Sequence, residues 1–279
     1  MIEKLLIIAG TGTYPDCIIK GARKAGVPHI AVLGIKGMTS RAVAAQADEV
    51  QWFGVGEARR SFEWGAKQGF THGIMAGQIT PVALFRTKFD DLALRWLREM
   101  PVKNAHTIFG KIAEEMGKIG IKVIPCSCFM DDHLPGVGVL TNRAPNEREQ
   151  RDIEFGHRIA TTICGLDIGQ TLVVKDGMVL AVEAFEGTNQ AIRRGGKLGG
   201  KGAVVVKVAK DGHDMRFDIP VIGEGTIRTL KKAGVSALAF QARRLVMLDQ
   251  PKVVAAANKL GIAITGIDSG LPPAPLRVD

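Results

Sequence analysis

The chain has 279 residues, 46% of them hydrophobic and 23% charged, and its 37 Lys and Arg against 28 Asp and Glu give a formal net charge of +9. That length buries a sizeable core in one large domain or two modest ones, and the composition excludes a mainly disordered chain, a collagen-like repeat and a disulfide scaffold. The basic balance favours anionic partners such as nucleic acid, phosphorylated metabolites or an acidic membrane face, without choosing among them.

The elements follow in chain order. Residues 5–9 form a buried-strand pattern that runs into Gly10-Thr11-Gly12. A helix is expected over residues 17–25 and stops at Gly26, and a second strand over residues 29–33. Residues 41–47 read as helix, 49–53 as a short strand, and 57–68 as a helix ended by Gly69. A strand at 73–76, amphipathic helices at 90–100 and 107–119, and a strand at 122–125 complete an alternation that predicts a mostly parallel, doubly wound, Rossmann-like sheet.

From residue 131 to 154, Pro135, Pro145 and several Gly and Asn breakers mark a connecting segment, a candidate hinge between two domains. The C-terminal domain then opens with a helix over residues 149–163. Two apolar runs, 171–175 and 178–183, flank Asp176-Gly177 and predict a β-hairpin. A strand at 203–208, a helix at 225–233, a strand at 237–240, a helix at 251–260 and a strand at 262–267 follow. The expected organisation is therefore residues 1–130, a connection over 131–154, and a C-terminal α/β domain with a hairpin over 155–279.

Cys17, Cys126, Cys128 and Cys164 form no CxxC pair, and Cys126-Ser127-Cys128 is too tight for a usual zinc spacing, so they read as reduced thiols of a cytoplasmic protein. The apolar run at 5–9 is too short for a signal peptide, and no stretch approaches the length of a membrane span.

Three segments carry candidate chemistry. The turn Gly10-Thr11-Gly12 lies between strand and helix, where backbone N–H groups can face a phosphate. A dinucleotide fingerprint would need glycine where Pro15 stands, which argues against NAD and leaves a nucleotide or phosphate contact open beside a plain strand-to-helix turn. The run from Gly195 to Gly202 nearly matches a phosphate loop, but Gly202 replaces the Ser or Thr that would hold magnesium. It reads instead as a mobile, basic surface loop able to cover a substrate.

The densest cluster holds Glu183, Glu186, Thr188, Arg193, Arg194, Lys207, Lys210, Asp211, Asp214, Arg216 and Asp218. Glu183 and Glu186 close a strand, where open α/β sheets place ligands. Carboxylates suit magnesium, and the basic residues suit phosphate oxygens, so the set fits metal-assisted phosphoryl transfer or hydrolysis, beside the alternative of a solvated charged face. His213 lies inside the cluster as a candidate acid or base. The six histidines show no HxH or HExxH spacing, and no GxSxG is present.

The C-terminal half resembles a known family. The blocks are Leu166-Asp167-Ile168-Gly169-Gln170, the run Leu180 through Thr188, Arg193-Arg194, Lys207-Val208-Ala209-Lys210, and Arg216-Phe217-Asp218-Ile219-Pro220-Val221-Ile222-Gly223. They are similar to the LpxI-type UDP-2,3-diacylglucosamine pyrophosphatases, and the N-terminal Ile7-Ala9-Gly10-x-Gly12 with Pro15 extends the likeness over nearly the whole chain.

The resemblance implies magnesium-dependent hydrolysis of UDP-2,3-diacylglucosamine to UMP and 2,3-diacylglucosamine 1-phosphate (lipid X), a step of lipid A synthesis at the cytoplasmic face of the inner membrane, in a two-domain enzyme that encloses the lipid product. Asp218 matches the family's essential aspartate. Glu183, Glu186 and Thr188 are carried over by motif position: Asp218 is expected as a magnesium ligand or as the group that orients water, with Glu183 or Glu186 completing the metal shell or serving as general base. By their charge and position Thr188, Arg193, Arg194, Lys207 and Lys210 are expected to bind the phosphates, and Gly10, Thr11 and Gly12 the uridine diphosphate end. Lys103-Asn104-Ala105-His106 stands where relatives carry Gly-Asp-Asp, so no acidic role is carried over there.

The implied partners are the lipid nucleotide and, peripherally, an anionic membrane surface, with no nucleic acid and with a homo-oligomer left open. Two other readings remain: a non-catalytic nucleotide-sugar or lipid-binding protein on the same fold, and a basic nucleic-acid-binding protein. At 5% aromatic residues the chain has little material for a base-stacking platform.

Overall fold

The computed structural model describes residues 2–79, 87–102, 105–210, 214–216 and 219–275. The chain forms two compact units, one of Met1–Met130 with Asp214–Asp218 and Pro275–Asp279, the other of Asp131–His213 with Ile219–Ala274.

The first unit contains β1 (Lys4–Ala9), α1 (Tyr14–Lys24), β2 (His29–Ile35), α2 (Arg41–Ala44), β3 (Glu49–Phe53), α3 (Ala58–Lys67), β4 (His72–Ala76), α4 (Asp91–Glu99), α5 (Ala105–Lys118) and β5 (Lys122–Val123). Its five strands pair in parallel in the order β3-β2-β1-β4-β5. A parallel sheet needs cover on both faces, which explains why β1 and β2 are nearly continuous aliphatic runs. Leu6, Ala31 and Leu33 pack with Phe70, Ala113 and Met116 in one core cluster, while Ile18 and Ile19 of α1 are also fully enclosed. Asp90 fixes the start of α4, accepting from Ala93 N at 2.9 Å and from Arg59 N at 2.7 Å.

The second unit contains β6 (Gly138–Val139), α6 (Glu147–Gly165), β7 (Thr171–Lys175), β8 (Met178–Val182), α7 (Thr188–Gly199), β9 (Ala203–Lys207), β10 (Val221–Ile222), α8 (Glu224–Lys232), β11 (Val235–Gln241), β12 (Val246–Met247), α9 (Gln250–Leu260) and β13 (Ala263–Ile267). A six-stranded sheet runs β6-β13-β11-β9-β7-β8, beside a two-stranded pair β10-β12. β9, β11 and β13 are parallel, and β7 is antiparallel to both neighbours. The hairpin prediction is met, with Asp176 and Gly177 both at positive φ (51° and 72°), as a two-residue primed turn demands. Asp152 of α6 holds that turn, accepting from Asp176 N at 3.0 Å and Gly177 N at 2.8 Å. The sheet separates two cores: Val173, Ala181 and Val205 face α7 and α8, and Leu172, Val174 and Val206 face α6.

Two expectations change. The Gly195–Gly202 run is not a mobile loop. Gly195, Gly196 and Gly199 lie inside α7, and the first two are buried. A Cβ on Gly195 would sit 2.6 Å from the Val173 side chain, and one on Gly196 2.3 Å from the Ala233 carbonyl oxygen. The glycines are there for close approach of a helix to a strand and a second helix. Residues 138–154, read as part of a connection, hold β6 and the first turns of α6 within the second unit. A capping box starts α6, with Asn146 and Glu149 each accepting the other's backbone N–H at 2.9 Å. Arg143 binds the Glu149 carboxylate at 2.7 and 3.2 Å and the Gly261 carbonyl at 2.8 Å.

Candidate active site

The polar cluster lies at one edge of the six-stranded sheet, where β8 and β9 end and β7 begins. Thr171 pairs directly with Lys207, and Glu183 N donates to Thr171 O at 2.8 Å. Strand residues two apart share a face. Thr171, Glu183 and Lys207 each stand two positions beyond Val173, Ala181 and Val205, so all three face α7. They are 1%, 7% and 4% exposed.

Thr188, the first residue of α7, joins two of them. Its Oγ1 donates to Glu183 Oε1 at 2.8 Å and accepts from Lys207 Nζ at 3.1 Å. A buried carboxylate and a buried ammonium are costly to desolvate, and one shared hydroxyl offsets only part of that. Glu183 Oε2, Thr171 Oγ1 and Gln170 Oε1 are buried with no hydrogen-bond partner among the described residues. Each is left for a water, an ion or a ligand to meet. α7 also starts at Gly187, at φ 81°, with no side-chain cap, which leaves its positive end open to an anion.

The other residues of the sequence cluster are placed differently. Glu186 accepts from Ala184 N at 3.1 Å and from Arg194 at 2.5 Å, and Arg194 also donates to Val182 O at 2.8 Å. These two residues clamp the β8–α7 turn, and the Arg194 guanidinium holds the Glu186 carboxyl below its ordinary range. Lys210 donates to Asp167 Oδ1 at 2.8 Å, and Arg193 is exposed on α7. Asp214 and Arg216 pair with each other at 2.6 Å and belong to the first unit. Asp211, His213 and Asp218 lie outside the described residues.

In the first unit, β1 and β4 are the neighbours at which the strand order reverses, the place where doubly wound sheets bind ligands. Here the turn after β1 is committed to the chain itself. Gly10 N donates to Ala76 O at 2.7 Å, Thr11 N to Gln78 O at 2.9 Å, and Gln78 N back to Thr11 O at 3.2 Å. The Thr11 hydroxyl also donates to Gln78 O, at 3.0 Å. A Cβ on Gly10 would lie 2.6 Å from Gln78 O, so glycine there serves the junction. Gly12, exposed at φ 94°, remains the open position of the turn.

Sequence reasoning missed Thr171 and Gln170, because a threonine opening a β-branched strand looks like any other strand residue. It also missed a contact on the opposite face of the sheet, where Gln241 accepts from Ala209 N at 2.8 Å and its Nε2 lies 3.2 Å from His157 Nε2. Burial pushes the His157 imidazole down, towards its neutral form.

Magnesium is held through hard oxygen donors, commonly one or two carboxylates plus phosphate oxygens of the substrate. The buried, unpartnered Glu183 Oε2 fits that chemistry as a single donor. Among the described residues no group of three or more Asp, Glu, His or Cys side chains comes together to hold a metal.

These features define a two-unit α/β protein whose second unit carries a carboxylate–hydroxyl–ammonium cluster on one edge of its sheet. Residues 4–133 match the family model described as LpxI N-terminal domain, and residues 136–265 that described as LpxI C-terminal domain. The chain belongs to the LpxI family.

The UDP-2,3-diacylglucosamine pyrophosphatase LpxI of Caulobacter vibrioides is 29% identical over 280 aligned positions, spanning 96% of this chain and 98% of that one. Among solved structures, the biotin carboxylase domain of a thermophilic 2-oxoglutarate carboxylase aligns at 17% identity and a TM-score of 0.28, over 62% of this chain and 35% of that one. The corresponding dimer from Hydrogenobacter thermophilus gives 16% and 0.29, over 64% and 36%. The chain spans about a third of the length of these carboxylases, and likeness at that level carries no functional argument.

Proposed function

We propose that this chain hydrolyses the pyrophosphate of UDP-2,3-diacylglucosamine, adding water across the P–O–P bridge to give UMP and 2,3-diacylglucosamine 1-phosphate in lipid A biosynthesis. Family membership over both halves supports the reaction, and the observation that carries it is the Glu183–Thr188–Lys207 cluster with its unmet Glu183 oxygen.

In this reading the Lys207 ammonium and the open amino end of α7 face the diphosphate, where they offset charge that builds on the phosphoryl oxygens as the bridge breaks. Thr188 fixes both neighbours, so Glu183 and Lys207 need no rearrangement when substrate arrives. Glu183 Oε2 holds magnesium or takes the proton of the attacking water. When bound, magnesium neutralises the diphosphate and polarises the phosphorus. Asp218 is proposed as the second ligand or as the residue that orients the water. Glu186 and Arg194 act by holding the turn that presents Glu183, Arg193 and Lys210 add positive charge around the site, and the Gly10–Gly12 turn meets the uridine diphosphate end through Gly12.

Among the described residues no helix is long and apolar enough to cross a membrane. We place the protein in the cytoplasm with peripheral contact to the anionic inner-membrane surface.

The test is UMP release from UDP-2,3-diacylglucosamine by the purified chain, with magnesium and then with EDTA, for wild type and Asp218→Asn. Magnesium-dependent release that the variant loses establishes the reaction and the residue. Folded protein that binds the substrate and releases no UMP under either condition would be a binding protein instead.

A further inference from the structure

Two turns of the second unit leave large apolar side chains in water at the same sheet edge as Glu183. The turn after α6 exposes Leu166 (68%) and Ile168 (48%), and the turn before α7 exposes Phe185 (95%). Neither turn is loose. Asp167, at φ 57°, ends α6 with N–H bonds from Asp167 to Cys164 O at 3.0 Å and from Ile168 to Ile163 O at 3.3 Å, the Schellman arrangement. The second turn is clamped by Glu186 and Arg194. The two turns abut, since a Cβ on Gly169 would sit 2.0 Å from the Glu183 carbonyl oxygen.

A single exposed apolar residue needs no explanation, but three on two adjoining, ordered turns make a patch. Most charges around it are paired, with one cation left over on α7. Lys210 is matched to Asp167 and Arg194 to Glu186, while Arg193 has no carboxylate partner among the described residues. The chain as a whole carries +9.

We propose that Leu166, Ile168 and Phe185 form a rim that enters the interfacial layer of an anionic bilayer. Apolar side chains beside cationic ones match that layer, which combines acyl chains with negative headgroups. A second copy of the chain is a poorer match, because it would bring a like net charge to the same surface. The inference rests on the lipid-substrate reading in one respect: the substrate's acyl chains would keep it in the bilayer. Glu183 lies two residues from Phe185, so an inserted rim presents the cluster to headgroups at the depth where the diphosphate would be found.

The experiment is co-sedimentation of the full chain with vesicles of phosphatidylethanolamine and phosphatidylglycerol, and with phosphatidylcholine vesicles, for wild type and the Ile168→Ser, Phe185→Ser double variant. Wild type is expected to favour the anionic vesicles, and the double variant to bind them about tenfold more weakly or worse, from the loss of two large apolar groups. UMP release from vesicle-borne substrate should fall with binding, while release from detergent-dispersed substrate stays at the wild-type level.

Phe185→Trp gives a reading independent of the double variant's folding, as vesicles should shift its emission to the blue relative to the wild-type background. Equal sedimentation of wild type and double variant would overturn the proposal, as would a dimer on gel filtration that the double variant abolishes. Vesicle binding that the double variant loses, in a protein that releases no UMP, would uphold the rim and remove only the catalytic reading.

Discussion

Glu183 and Lys207 meet on a single hydroxyl, with Thr188 Oγ1 giving its hydrogen to the carboxylate and taking one from the ammonium. Neither charge is exposed by more than 7%, so the hydroxyl sets the position of both. Thr188→Val removes it at nearly constant volume and leaves two buried charges without their bridge. The expected outcome is a fall in UMP release of at least about a hundredfold, roughly 2.7 kcal/mol, with Thr188→Ser recovering most of it. Steady-state rates for the two variants, with melting curves to show that both fold, check this. Equal activity in the valine variant would remove Thr188 from the site.

The glycine run in α7 predicts opposite effects of one substitution at two helical positions. Gly195→Ala drives a methyl against Val173, and overpacking of this kind costs about 1–3 kcal/mol. A Cβ on Gly117, within α5, meets nothing within 4 Å, so Gly117→Ala should stabilise by about 0.5–1 kcal/mol through helix propensity. Denaturant melts of the two variants should move to opposite sides of the wild type.

Arg143 holds the buried Glu149 carboxylate through two hydrogen bonds. Burial pushes the Glu149 carboxyl up, but the Arg143 guanidinium, Ser236 and the Asn146 N–H outweigh it and leave the group below its ordinary value of 4.5. The folded state therefore holds this proton less tightly than the unfolded chain. The resulting stability is fully present above pH 4.5 and is lost as pH falls through the depressed folded value. Glu149→Gln should cost about 2 kcal/mol at pH 7, less than a fully buried pair because Arg143 is partly solvated. Melting temperature against pH checks both points, since the variant should show a shallower loss in acid.

His157 adds a second acid-sensitive term. Its imidazole is pushed below 6.5 by burial, so the unfolded chain takes up the proton first and stability declines as pH drops from 6.5 towards the folded value. His157→Gln should flatten the melting curve in that window, upstream of the Glu149 effect. An unchanged slope between pH 7 and pH 5.5 would mean that the ring is as free to charge in the folded state as in the unfolded one.

Most elements were legible because their signals are local. The aliphatic run at β1, the glycine stops of α1 and α3, and Asp176-Gly177 each act over a few residues. The capping box of Asn146 and Glu149 was equally legible, yet the prolines beside it drew the segment towards a connection. What misled at α7 was composition, since glycine raises chain freedom in solution but here permits contact with Val173 and Ala233. The cluster was half legible. Glu183, Thr188 and Lys207 come together as residue types at strand ends suggested, while Glu186, Arg194 and Lys210 bond to neighbours of their own. Strand register, which places Thr171 opposite Lys207, is a tertiary fact with no trace in either segment alone.

The first unit is assembled from separated pieces of chain. Its edge after β5 receives a backbone bond from Cys126 N to Met215 O at 2.9 Å, and Ser127 donates its hydroxyl to Pro275 O. Met215 leaves the ribosome only after four strands of the second unit (β6 to β9) have been made, and Pro275 only after all of them. The nascent first unit can therefore build its parallel sheet early but must wait for residues 215 and 275 to close its last edge. Until then the Cys126 N–H lacks its Met215 acceptor and is met by water instead. A nascent chain stalled before residue 215 would expose that edge to proteases and chaperones in a way the finished protein does not.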